Sequence, residues 1–317
     1  MDIAVHILVF VASSLLVWFC AGLLIDSVAR IAKRIGMVGF TAAFFILGIL
    51  TSLSEISVAL NASIKQVPQV SLGNLVGASI VILLLIVPLL AFLGNGLRLS
   101  KVVPRATLLV ALLVIAMPAL FALNGSVTRV EGAIALVAYA CLVLIIRASA
   151  RPASRPKNVT GRTMLLADFV KIVLGAGAIF FAGNSLVGEA VYFSEALSIP
   201  ASVVGLLLLS VGTNLPEIVI AIRAIAKGHS DIAFGDYLGS AATNTLIFGV
   251  LVVAGGGFTV VPAMFLITAL IMMGGFGCFF IFAFSKGKLS RFEGAILLCF
   301  YAAFIITALG TVSVQGS

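Results

Sequence analysis

The sequence predicts an all-α polytopic membrane protein of about ten transmembrane helices, arranged as two inverted five-helix repeats. Three observations carry this expectation. Of the 317 residues, 62% are hydrophobic and 9% charged, with a mean hydropathy of +1.30, which leaves no room for a sizeable soluble domain. The two halves match each other at a constant offset of 162 residues. Basic residues fall almost entirely on alternate connections.

The duplication is clearest near the end of each half. Thr128–Ala140 (TRVEGAIALVAYA) matches Ser290–Ala302 (SRFEGAILLCFYA) at 8 of 13 positions. The matches include Arg129/Arg291, Glu131/Glu293 and Tyr139/Tyr301, which shared hydrophobicity does not explain. Leu47–Ile82 against Leu209–Asn244 adds 10 identities in 36 positions and sets Glu55 under Glu217 and Thr51 under Thr213.

Taken in order, the first span is Ala4–Ile25. It is too long for a signal-peptide core, and its basic residues (Arg30, Lys33, Arg34) follow it, so it reads as a retained helix. Met37–Ile64, Val70–Leu93, Ala106–Leu123 and Val130–Ile146 complete a first repeat, residues 1–147. Residues 148–162 form a basic linker rich in Pro and Ser, too polar to span. The second repeat, residues 163–317, holds Met164–Val187, Val203–Ala226, Ile232–Val253, Pro262–Phe284 and Phe292–Leu309. A turn is expected at Gly255-Gly256-Gly257.

The net charge of +8 reads as orientation, not as a nucleic-acid surface. Of 19 Lys and Arg, 16 fall on the connections after spans 1, 3, 5, 7 and 9, and only Lys65 and Arg129 fall on the opposite side. Both termini are therefore expected outside and the linker in the cytoplasm. An odd number of spans per repeat then makes the repeats inverted. Asn158-Val159-Thr160 fits a glycosylation pattern but lies on the cytoplasmic side. Cys20, Cys141, Cys278 and Cys299 lie in apolar spans without metal-ligand spacing, and no disulfide is expected.

The chemistry centres on Glu217. A carboxylate in an apolar span costs up to several kcal/mol, so it calls for a function. Gly212, Thr213, Asn214 and Pro216 interrupt the run before it, and Pro216 has no amide hydrogen, so the helix is expected to break there. Freed carbonyls and hydroxyls beside a carboxylate make a site for a cation, and Glu55 in LTSLSE repeats the arrangement.

SVGTNLPE followed by GDYLGSAATN resembles the second alpha-repeat of the cation/calcium exchanger superfamily, and LTSLSE followed by GNLVGAS resembles a more degenerate first one. The resemblance covers nearly the whole chain. It implies a secondary active antiporter exchanging Ca2+ or a related divalent cation for Na+, with the ion site at mid-membrane between spans 2, 3, 7 and 8. It further implies that Glu55 and Glu217 hold the divalent ion, that Thr51, Ser52, Thr213 and Asn214 supply oxygens, and that Ser240 and Asn244 form a polar pair on one face of the eighth span. Ala78 and Ile82 stand where the first repeat is expected to mirror that pair, and Ser54 replaces a proline. No cofactor is implied. The expected partners are the transported cations and the bilayer, with no nucleic acid.

Calcium takes roughly six to eight oxygens, of which two carboxylates supply up to four. An empty, doubly charged site is costly to carry across the bilayer, so reorientation is expected only when the glutamates are neutralised. Proton coupling, a passive channel and a non-transporting homologue stay open. An intramembrane enzyme is not expected, since no nucleophile–base pair or histidine metal motif is present.

Other polar residues carry structural expectations. Asn74 and Asp236 read as helix caps, Ser79 as small-residue packing, and Arg129/Glu131 with Arg291/Glu293 as structural ion pairs or anchors. Asp168 and Lys171 read as a local pair. His6 and His229 lie at the membrane edge, and Glu189, Tyr192 and Glu195 lie on the outer side.

Overall fold

The computed structural model describes residues 3–34, 40–93, 96–97, 103–149, 162–215, 217–218, 230–285 and 288–315. Among them, eight helices are long and apolar enough to cross a membrane, a bent pair supplies a ninth crossing, and Ala201–Thr213 is a shorter apolar helix. The molecule is an all-α polytopic membrane protein. Span 1 is Ile3–Arg34 and span 6 is Arg162–Ala196. Both run past the apolar stretches Ala4–Ile25 and Met164–Val187, because hydropathy marks where lipid ends while a helix continues as long as its own hydrogen bonds do.

Span 2 is composite. Phe40–Ala42 leads into a π-helical stretch, Ala43–Leu47, then Gly48–Thr51, and after Ser52 the chain turns by 45° into Leu53–Ile64. Span 7 repeats this: Ala201–Val204, a π-helical stretch at Gly205–Leu209, then Ser210–Thr213. The two π stretches coincide at the 162-residue offset. Span 3 is Pro68–Ile80, continuing through π-helical Val81–Ile86 into Val87–Leu93. Its counterpart, span 8, is one unbroken helix, Ser230–Gly255. Spans 4 and 5 are Arg105–Phe121 and Arg129–Ala148, and spans 9 and 10 are Pro262–Ser285 and Arg291–Gln315. Gly256, at φ +94°, makes the expected turn after span 8.

Short backbone pairings show that the repeats are inverted. Leu97, between spans 3 and 4, exchanges two hydrogen bonds with Leu289, between spans 9 and 10, at 2.9 and 2.7 Å. Ser126–Val127, between spans 4 and 5, pairs antiparallel with Phe258–Thr259, between spans 8 and 9. Span 4 separates the first connection of each pair, so the two pairings lie on opposite sides. The 3–4 connection and its duplicate, the 8–9 connection, therefore face opposite ways.

The centre is assembled crosswise, with span 3 against span 7 and span 8 against span 2. Two G-x-x-x-G motifs permit the close approach. A Cβ on Gly73 would collide with the Ser202 carbonyl and one on Gly77 with the Leu206 carbonyl. In the other half, Gly235 and Gly239 meet the carbonyls of Phe40 and Phe44 in the same way. Two apolar clusters flank this centre. The larger joins spans 3, 4, 5, 8, 9 and 10, and the smaller ties spans 1 and 6 to Val58, Val70 and Leu209.

Glu131 and Glu293 are capping-box residues. Glu131 accepts from the Thr128 amide at 2.7 Å, and Glu293 from the Ser290 amide at 2.8 Å, while each cap hydroxyl takes the glutamate's own amide. The duplicated arginine–glutamate motif thus marks two helix starts, which is its structural reason.

Candidate functional site

Each repeat breaks its helix beside a glutamate. Ser52 leaves helical geometry at φ −76°, ψ 8°, and Asn214 does so at φ −90°, ψ 9°. In span 2 no proline is needed; the Thr51 hydroxyl reaches the Leu47 carbonyl at 3.1 Å and the Ser52 hydroxyl donates to the Gly48 carbonyl at 2.8 Å, so side chains satisfy carbonyls the break releases. Pro216 lies outside the described residues.

The carboxylates are inaccessible: Glu55 is 1% exposed and Glu217 0%. A bonded chain crosses the halves, since the Ser52 and Ser240 hydroxyls lie 3.2 Å apart and Ser240 donates to Glu217 Oε1 at 3.3 Å. Ser54 donates to Glu55 Oε2 at 2.7 Å and lies 3.2 Å from the Thr213 carbonyl, which joins the two breaks directly. Asn214 and Asn244 are buried here too, but their amides are used elsewhere, on the Ser210 carbonyl at 2.6 Å and the Ser79 hydroxyl at 3.1 Å. Ser79 is therefore a hydrogen-bond partner as well as a small packing residue. Ala78 and Ile82 are fully buried, as apolar side chains.

Two further residues enter the site. Asn74 and Asp236 do not cap helices; both are 0% exposed and lie well inside spans 3 and 8, because those helices begin at Pro68 and Ser230. They make symmetry-related contacts: the Thr213 hydroxyl donates to Asn74 Oδ1 at 3.3 Å, and the Thr51 hydroxyl reaches Asp236 Oδ1 at 3.3 Å. The signal was present in the sequence, since 74 and 236 differ by the repeat offset. Ser54 is likewise missing from the expected set, although it was the one departure that swaps a proline for a hydroxyl.

Among the described residues, eight buried side-chain oxygens have no hydrogen-bond partner; three are the hydroxyls of Ser14, Ser71 and Tyr237, and five are carboxylate or amide oxygens at the centre: Glu55 Oε1, Glu217 Oε2, Asp236 Oδ2, Asn214 Oδ1 and Asn244 Oδ1. Buried polar atoms are normally satisfied, so these point to a hard cation as the missing partner. Among the described residues, no three Asp, Glu, His or Cys side chains group tightly enough to hold one metal ion, and the only ion pair is His6–Glu189 at 2.7 Å. Neutral oxygens must complete any shell around the glutamate pair.

A cavity of about 210 Å³, lined by Ser63, Gln66, Gln69, Gly256 and Phe258 among others, opens between the 2–3 and 8–9 connections. Its lining does not include the carboxylates. At the membrane edge, His6 also stacks on Tyr192 with ring centroids 3.4 Å apart, which holds Glu189 and Tyr192 to span 1. Partial burial holds the Lys65 pKa below its ordinary value, and the Glu189 charge opposes this only in part. His229 and Asn158 lie outside the described residues, as does the side chain of Asp168 expected to pair with Lys171.

Inverted repeats with paired helix breaks beside two buried glutamates define an integral membrane protein with the architecture of a secondary transporter. The chain belongs to the sodium/calcium exchanger protein family, which matches at residues 5–147 and 168–310. It is 33% identical over 149 residues to the sodium/calcium exchanger MaX1 of Methanosarcina acetivorans, a match spanning 44% of this chain and only 40% of that protein. Over 314 residues it is 27% identical to CaxA of Alkalimonas amylolytica, covering 94% of this chain and 96% of that protein. The inner membrane protein YrbG of Escherichia coli is 28% identical over 244 residues, 74% of each chain. The fold is shared with the sodium-calcium exchanger NCX_Mj soaked with 10 mM Na+ and no Ca2+, at a TM-score of 0.69 and 20% identity, over 96% of this chain and 99% of that one.

Proposed function

We propose that this protein is a secondary active antiporter that exchanges Ca2+, or a related divalent cation, for Na+ by alternating access. Glu55 and Glu217 hold the divalent ion, and Thr51, Ser52, Thr213, Asn214, Ser240 and Asn244 complete or order the oxygen shell. The observation that carries this is the pair of buried glutamates at symmetry-related helix breaks, each keeping one oxygen without a partner. Their joint charge opposes reorientation of an empty site, so one cation leaves only as another enters. The basic residues support placing both termini outside and the 148–162 linker in the cytoplasm, between repeats 1–147 and 163–317.

The test is Ca2+ uptake into proteoliposomes at clamped voltage, driven by an outward Na+ gradient or an outward proton gradient, with Glu217→Gln as the blank. Uptake with Na+ alone is the expected result. The second reading, proton coupling, is favoured by Ala78 and Ile82, which leave the first repeat without a polar pair to match Ser240 and Asn244. Uptake with the proton gradient alone would select it. Glu217-dependent uptake under neither gradient would replace both readings with a passive pathway.

A further inference from the structure

We infer that Ser14 of span 1 is a positioning residue for exchange: its hydroxyl docks on the Gly212 carbonyl of span 7 in one of the two access states and leaves it in the other. This inference rests on the exchanger reading above but names a residue, on a span, that reading does not use.

Ser14 is 4% exposed, and its hydroxyl has no hydrogen-bond partner. A buried hydroxyl in an apolar helix commonly donates to its own chain one turn back. Ser52, Ser79, Thr243 and Thr268 do so here. Ser14 does not; it faces Gly212 instead. A Cβ on Gly212 would lie 2.8 Å from Ser14 Oγ and 3.3 Å from Phe10 Cζ, so span 1 packs directly on the bare face of span 7. The Gly212 carbonyl has also lost its α-helical donor. That donor would be the amide of residue 216, which is a proline. A spare hydroxyl therefore sits beside a glycine whose carbonyl is released, at the last turn before the break. The same pairing is already formed elsewhere in the molecule. Pro118 interrupts span 4, and the Val114 carbonyl, four residues before it, takes the Thr245 hydroxyl of span 8 at 2.9 Å.

The repeat supplies an internal control. At the 162-residue offset, Ser14 corresponds to Ala176, Gly212 to Leu50 and Pro216 to Ser54, which keeps its amide. The Leu50 carbonyl also takes the Ser52 amide. A spare hydroxyl is thus present where a proline releases a carbonyl and absent where none is released. In the described arrangement the Ser14 contact is open. Gly212 directly precedes Thr213 and lies five residues before Glu217, so closing the contact fixes the turn that aims the carboxylate. A hydrogen bond made in only one of two states sets the balance between them.

The experiment is a double-mutant cycle on Ser14→Ala and Pro216→Ser in the full-length protein, the second change restoring the amide that Ser54 has. In proteoliposomes the readouts are the maximal rate of 45Ca2+ exchange against unlabelled Ca2+ and the Ca2+ concentration giving half that rate. Unfolding temperature is read in detergent. Ser14→Ala is expected to slow the maximal rate by about three- to tenfold, the worth of one buried hydrogen bond. Half-saturating Ca2+ is expected to change by less than about twofold, since Ser14 touches no ion. Ser14→Thr, which keeps a hydroxyl, is expected to exchange close to the wild-type rate. In the Pro216→Ser background Ser14→Ala is expected to do nothing further, because the carbonyl then has its own amide. The inference is overturned if Ser14→Ala exchanges as the wild type does, slows both backgrounds equally, or is matched in slowness by Ser14→Thr. It is equally overturned if Ser14→Ala changes only the half-saturating Ca2+. Should Pro216→Ser not exchange at all, Ser14→Ala against Ser14→Thr decides. Absence of Ca2+ exchange in the wild type would instead overturn the exchanger reading, and the four unfolding temperatures would decide the contact by the same non-additivity.

Discussion

The hydroxyl oxygens of Ser52 and Ser240 lie 3.2 Å apart and join the break in span 2 to the middle of span 8. Ser240 also donates to Glu217 Oε1, so one small side chain links both repeats to a carboxylate. Ser240→Ala removes a hydrogen bond to a charged group, and 45Ca2+ binding is expected to weaken by about tenfold. Ser52→Ala leaves the Ser240–Glu217 bond in place and is expected to cost less in the same assay.

Glu55→Gln and Glu217→Gln are expected to stop coupled exchange while raising the unfolding temperature in ion-free buffer. Each replaces a buried, incompletely paired charge with a neutral amide. Thermal unfolding in detergent, with and without Ca2+, reads both effects. A variant that unfolds earlier than the wild type without ions, or keeps coupled flux, contradicts the assignment.

Gly77→Ala and Gly239→Ala introduce matched collisions with the Leu206 and Phe44 carbonyls. Each is expected to destabilise the protein by about 1–3 kcal/mol, as overpacking does. Because the contacts are related by the repeat, the two losses are expected to be similar. Unequal losses would mean that the π-helical stretches of spans 2 and 7 differ in how readily they yield.

The charge distribution makes a topological prediction. In a background without the four native cysteines, Cys at Ser154 in the linker is expected to react only with reagent on the cytoplasmic side, and Cys at Ser198 only with reagent outside. Labelling of both positions from one side would overturn the orientation.

Much of this architecture is legible in the residues because duplication doubles each weak signal. Glu55 alone is a lone polar residue in a degenerate motif; set under Glu217 it becomes half of a site. Asn74 and Asp236 were harder to read for a geometric reason. Hydropathy starts spans 3 and 8 at Val70 and Ile232, which makes both residues look terminal, whereas Pro68 and Ser230 start the helices and carry both side chains into the centre. The π-helical stretches have no residue signature, since AFFIL and GLLLL would suit an ordinary α-helix. Ser54 shows a different limit. Its contact to the Thr213 carbonyl joins residues far apart in the chain, and spacing within one repeat carries no trace of it.

The π-helical stretches at Ala43–Leu47 and Gly205–Leu209 act as phase-setters. Each holds a wide turn with one more residue than an α-helical turn, one α-helical turn and a helix break ahead of a glutamate. Deleting a single residue there would restore the ordinary pitch and rotate everything downstream by about 100°. Glu55 or Glu217 would then swing from the buried centre toward a lipid or packing face. The compass bearing of both carboxylates is thus held by chain length in two five-residue windows, where residue type matters little and residue count is expected to be inflexible.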